Sequence, residues 1–192
     1  NYALRKWKGK GDRVVGVGFS EAGSFVQSRI AGAFDGIRER MPALAADRFH
    51  QIEGRGMREH SRRAMAEFLR AARHGEHTLV AAATDSSALG VLDAIRESGQ
   101  ESNFAIVGQD CIPEALEEMR KGSSAFIGSI SHEAESYGPR LIQLGIALLR
   151  GYSVPPYNYV HHRAVTAETL AGGQGGVNAS QTARAASPSD SL

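Results

Sequence analysis

Cysteine is almost absent: Cys111 is the only one in 192 residues. An internal disulfide framework is therefore excluded, and no Cys/His spacing resembles a structural zinc site. A lone thiol suits a reducing cytoplasm and a disulfide-free periplasm equally well. An excess of charge is also lacking, since 22 Lys and Arg stand against 21 Asp and Glu for a net charge of +1. No bulk attraction to nucleic acid or to an acidic membrane follows from that balance. Long hydrophobic runs are missing as well, and none approaches the roughly 20 residues that span a bilayer. What remains is ordinary globular material, 42% apolar and 22% charged, which excludes a collagen-like, wholly disordered or coiled-coil chain. At about 150 residues per domain, the length fits one large domain or slightly more.

The opening NYALRKWKGKG reads as the end of a helix running into a loop. It has no charged start followed by an apolar core and a small-residue cleavage site, and the expectation is that chain upstream is missing. Residues 171–192 hold Val177 and Leu192 as their only large apolar side chains. Such a segment buries too little surface to offset its ordering entropy and is expected to be a disordered tail.

Between the ends, short apolar runs alternate with amphipathic stretches. RVVGVGF at 13–19 is a β-branched run of the kind buried on both faces of a sheet. Val26, Ile30, Ala33, Phe34 and Ile37 then form one helical stripe that Pro42 ends. Strands are expected at 47–52, 78–83, 104–108, 125–130 and 157–165. Helices are expected from near Ser61, after Asp85, from Pro113, and through Leu141–Leu149 to a stop at Gly151. Strands alternating with helices indicate βαβ units, hence an α/β fold with a doubly wound parallel sheet covered on both faces.

In such a sheet, ligands bind beyond the carboxyl ends of the strands. That edge collects Ser20 and Glu21, Arg29, the segment Glu53–Met57, Thr84 and Asp85, Asp110, and Ser131 with His132. Acceptor-only carboxylates beside a donor-only guanidinium suit a small neutral molecule rich in hydroxyl groups, since each hydroxyl both donates and accepts. Each residue also has a plainer reading. Asp85 is well placed as a helix N-cap, Asp110 as the start of a turn before Pro113, Arg29 as a solvated surface arginine, and His132 as a structural histidine. It is their joint placement on one edge that favours the site.

Other motifs fail. Gly16-Val-Gly18 lacks the third glycine of a dinucleotide loop, and there is no phosphate-loop Lys-Ser/Thr. Cys111 with His132 shows no recognised nucleophile–base signature. His161 and His162 are adjacent on an expected strand and would point to opposite faces, which is poor for one metal. The arginines at 55, 58, 62, 63, 70 and 73 are interleaved with Glu53, Glu59, Glu67 and Glu76, a solvated helix face rather than a nucleic-acid footprint. No cofactor, metal or catalytic group is expected.

Residues from about 13 to 170 resemble the second half of a type I periplasmic sugar-binding protein, the substrate-binding component of a bacterial ABC importer. The resemblance is carried by RIAG at 29–32, TDSSALG at 84–90, IVGQD at 106–110 with Pro113-Glu114, IGSISHEAESYG at 127–138, and GYSVPPY at 151–157. It implies one lobe of a two-lobed fold that closes on a sugar, with an ABC permease as partner and a periplasmic location. It divides the chain into 1–122, most of the second lobe; 123–150, a strand and helix crossing back to an incomplete first lobe; 151–170, a return; and 171–192, the tail. It implies ligand contacts from Arg29 and Asp110, with Thr84 where better-known members carry an asparagine. His132 stands in place of a hinge-region glutamine, and Met57 near a position that often carries an aromatic. Lac-repressor-type regulators share the effector fold, so the alternative is an inducer-binding domain, in which this segment would not itself touch DNA.

Overall fold

The computed structural model describes Trp7 and residues 10–172. Twelve elements follow the alternation read from the sequence. They are β1 (Arg13–Gly18), α1 (Ser24–Arg40), β2 (Phe49–Glu53), α2 (Arg58–Ala71), β3 (Thr78–Ala82) and α3 (Asp85–Glu97). After these come β4 (Phe104–Gln109), α4 (Pro113–Arg120), β5 (Phe126–Ser131), α5 (Tyr137–Leu149), β6 (Arg163–Thr166) and α6 (Ala167–Ala171). The strands form a single sheet in the order β2-β1-β3-β4-β5-β6, parallel except for the antiparallel β5–β6 pair.

Strand alternation sends two sets of apolar side chains to opposite faces. Val15, Val17, Val80, Phe104, Ile106 and Phe126 join Met65, Leu69, Leu92, Ile95 and Met119 from α2, α3 and α4 in the main core. Each such side chain, fully buried, contributes roughly 1.5–3 kcal/mol. Among the described residues the opposite face is covered too, though less completely. There Ile30, the one buried residue of α1, closes over Gly16 of β1, and Trp7 packs with Ala105, Leu79 and Ile127 while stacking on His77 at 4.8 Å. Between them an apolar groove of about 570 Å³ runs past Gly32, Gly36, Ala81, Val107 and Ile127.

The strand expected to leave with the crossing segment stays in this sheet, because β5 pairs with β4 on one side and β6 on the other. Only α5 departs; none of its residues is buried, and Leu141, Ile142, Leu148 and Leu149 face solvent. The last strand is shorter than expected, starting at Arg163, and His161 and His162 precede it. The segment read as a tail lies outside the described residues from 173 onward. No helix among the described residues is long and apolar enough to cross a membrane.

At the amino ends of the strands a charge network ties α3, α4 and the turn between α3 and β4. Arg96 donates to Glu101 and Glu118, and Lys121 also donates to Glu118. Burial alone would push the Glu118 carboxyl up, but hydrogen bonds from Arg96, Lys121 and Ser124 outweigh it and hold the group down to about 2. A depressed carboxyl stabilises the fold above its ordinary range and stops doing so as pH falls through the folded value. The stability difference between the native chain and Glu118→Gln, measured by urea unfolding, is therefore expected to shrink from about 2 kcal/mol near pH 6 toward zero near pH 2.

The candidate ligand crevice

Asp110 follows β4 directly, with its N–H held by the Ile130 carbonyl of β5 at 3.0 Å. Its carboxylate meets two cationic or donor groups from other elements. Arg29, one turn into α1, donates from Nη1 to the Ala83 carbonyl at the end of β3 (2.7 Å), and the same nitrogen lies 3.7 Å from Asp110 Oδ1. His132, just past β5, places Nε2 3.3 Å from that oxygen, and its Nδ1 lies 3.0 Å from the Tyr137 hydroxyl. The tautomer with the proton on Nε2 accepts from Tyr137 at Nδ1 and turns its N–H side toward Asp110. Burial pushes the Asp110 carboxyl up, with Arg29 and His132 pulling against it.

The three side chains are 25%, 28% and 21% exposed for Arg29, Asp110 and His132. They are fixed from behind and open at one side, at the carboxyl edge of a parallel sheet. A guanidinium with unspent N–H groups beside a carboxylate with unspent lone pairs can bind a vicinal pair of hydroxyls, donating to one and accepting from the other. Among the described residues no group of three or more His, Cys, Asp or Glu side chains converges as metal ligands do.

The other expected contacts divide. The Asp85 reading is corrected twice. Thr84 is the cap of α3, accepting from Ser87 N–H at 3.2 Å, and Asp85 is the first helical residue. Asp85 is also fully buried, with both oxygens engaged by Ile112 N–H and the Ser129 hydroxyl, so no face of it is open to a ligand. Thr84 keeps its place at the edge, but its hydroxyl is spent on the cap and on Ser87 Oγ. Thr84→Ala is accordingly expected to cost about 1 kcal/mol of stability in urea unfolding while leaving ligand affinity within about threefold.

Met57 precedes α2 and is 57% exposed. On the same wall, Glu53 accepts from Ser20 and Arg55 N–H groups, and Arg55 pairs with Glu21 at 3.6 Å. Two residues escaped the sequence reading. Tyr137 orients His132, and nothing in its spacing marks that role. Phe25 is 82% exposed in the first turn of α1. It stands four residues before Arg29 and thus on the same helix face, a signal that was available.

A model of the periplasmic binding protein domain matches residues 1–153. The chain belongs to this family. Solved periplasmic binding proteins share the fold. One is an ABC transporter periplasmic solute-binding protein from Actinobacillus succinogenes with bound D-allose (TM-score 0.74, 18% identity, 88% of this chain and 58% of that one). Another is a Caulobacter myo-inositol binding protein with myo-inositol bound (0.74, 19%, 89% and 56%). A periplasmic ribose ABC transporter protein from Conexibacter woesei also matches (0.69, 18%, 92% and 61%). The chain thus spans a little over half the length of these periplasmic binding proteins. No curated protein matches the sequence.

Proposed function

We propose that the chain is the greater part of the second lobe of a solute-binding protein that recognises a monosaccharide or a related cyclic polyol for ABC-type import. The carrying observation is the convergence of Arg29, Asp110 and His132 at the carboxyl edge of the sheet, in a chain of this family. D-allose in one structural neighbour and myo-inositol in another are molecules of the class such a cluster suits. Arg29 donates to ring or hydroxyl oxygens, Asp110 accepts from hydroxyls, and His132 holds Asp110 and borders the ligand. Met57 and Phe25 offer apolar contact to the C–H face of a sugar. No bond is made or broken.

Residues 1–122 with β5 form this lobe, α5 carries its apolar face to a first lobe, and residues 151–170 return. Closure of two lobes over the ligand would present it to a membrane permease from the periplasmic side. One lobe alone supplies part of the hydrogen-bonding shell and no closure, so this chain should bind with a Kd of about millimolar. Amide NMR spectra recorded with D-allose, myo-inositol and ribose at up to tens of millimolar test the reading. Saturable shifts at Arg29, Asp110 and His132 with at least one of them are expected. Shifts confined to other surfaces, or none with any of the three, would remove the assignment.

A further inference from the structure

The backbone just after β4 is held in an unusual shape. Asp110 and Cys111 have φ of 115° and 58°, values that side chains other than glycine rarely adopt without support from their surroundings. The support comes from two fully buried polar residues on other elements, Asp85 and Ser129. Cys111 N–H donates to Ser129 Oγ at 3.1 Å, and Ile112 N–H donates to Asp85 Oδ2 at 3.0 Å. The Ser129 hydroxyl in turn donates to Asp85 Oδ1 at 2.7 Å. Room for that carboxylate exists because residue 108 is glycine: a Cβ there would collide with Asp85 Oδ1.

We propose that Asp85 and Ser129 are positioning residues for ligand binding. Acting as one clamp, they fix two consecutive amides behind Asp110 and so aim its carboxylate at Arg29 and His132. The inference rests on the crevice reading above, with Asp110 accepting from a sugar hydroxyl. Neither positioning residue touches the ligand. A buried carboxylate–hydroxyl pair adds little to stability that well-packed apolar side chains would not. Every donor these two residues satisfy belongs to each other or to the single turn that carries Asp110.

The test uses the whole chain with Ser129→Ala and, separately, Asp85→Asn, following amide hydrogen exchange and titration with D-allose, myo-inositol and ribose. In Ser129→Ala the Ile112 amide keeps its own acceptor, yet it is expected to lose about tenfold or more in protection. Asp85→Asn is expected to do the same to the Cys111 amide, whose acceptor is Ser129. Sugar Kd should rise about tenfold in each variant. Glycine adopts the φ of residue 111 without strain, so adding Cys111→Gly to Ser129→Ala should return Kd to within about threefold of the native chain.

Independent exchange at the two amides would overturn the clamp. So would unchanged sugar affinity in Ser129→Ala, or a double variant as weak as the single one, either of which would mark the pair as stabilising the fold alone. If the native chain answers none of the sugars, the crevice reading fails instead, and the exchange coupling still decides whether the clamp exists.

Discussion

Arg29→Ala is expected to weaken sugar binding by roughly 30- to 150-fold, the equivalent of about 2–3 kcal/mol for hydrogen bonds from a charged donor. The arginine has two tasks in the structure. One N–H holds the Ala83 carbonyl at the end of β3, and the positive charge faces the half-buried Asp110 carboxylate. Removing it deletes the donor to the ligand. It also leaves Asp110, whose carboxyl burial already pushes up, without one of the groups that pulls it down. The acceptor itself therefore becomes easier to protonate, and the loss should be larger at pH 5 than at pH 8.

Arg29→Lys separates charge from geometry. An ammonium keeps the Coulombic attraction but cannot present a planar fork to the carbonyl and the ligand together. Its affinity should fall between the native chain and the alanine variant. NMR titration with the best of the three sugars reads these outcomes, Arg29→Ala as shifts that no longer approach saturation at tens of millimolar. Native-like affinity in Arg29→Ala would remove the crevice assignment, because no other described lysine or arginine pairs with Asp110.

The alternation of apolar runs and amphipathic stretches was enough to read the α/β fold, because strands such as 13–18 and 104–109 are apolar on both faces and short. Pattern could not show that one face of the sheet keeps a groove between α1 and Trp7 among the described residues. The strand residues Leu79, Val107 and Ile127 along the groove are as apolar as those of the main core, and apolar character does not record whether a partner is present. The strand at 126–131 was expected to leave the sheet, yet local sequence does not encode which sheet a strand joins. Its pairing depends on residues 20–40 positions away in the chain.

At the site, placement on the carboxyl edge found Arg29, Asp110 and His132, and the structure brings those three together. Asp85 was legible as a polar residue after a strand but not as a buried one. Its burial depends on Gly108 and Ser129, on two other strands. Thr84 shows the opposite problem, since a hydroxyl beside a crevice can be consumed by the helix it caps. Sequence position names the candidates; which lone pairs remain free is a tertiary property.

Gly90→Ala is expected to lower stability by about 2–3 kcal/mol, a fall in Tm of roughly 5–10 °C for a domain of this size. Gly90 lies inside α3, where alanine would ordinarily stabilise a helix by about 1 kcal/mol. Here an added methyl would collide with the Arg58 carbonyl and approach the Arg62 amide nitrogen of α2. Those atoms are helix backbone and cannot rotate away as a side-chain end would, so the two helices must separate. Gly32→Ala and Gly36→Ala in α1 make the same chemical change where a methyl meets nothing within 4 Å. They should stabilise by up to about 1 kcal/mol each, giving opposite signs for one substitution type in a single thermal-unfolding series. The effect of Gly90→Ala also reaches the crevice. The amino end of α3 carries Thr84 and Asp85, and Asp85 holds the turn behind Asp110. Displacing α3 from α2 should therefore weaken sugar binding as well as folding. A Gly90→Ala chain as stable as the native one would mean that α2 and α3 are not in backbone contact, and the close packing described for the main core would have to be revised.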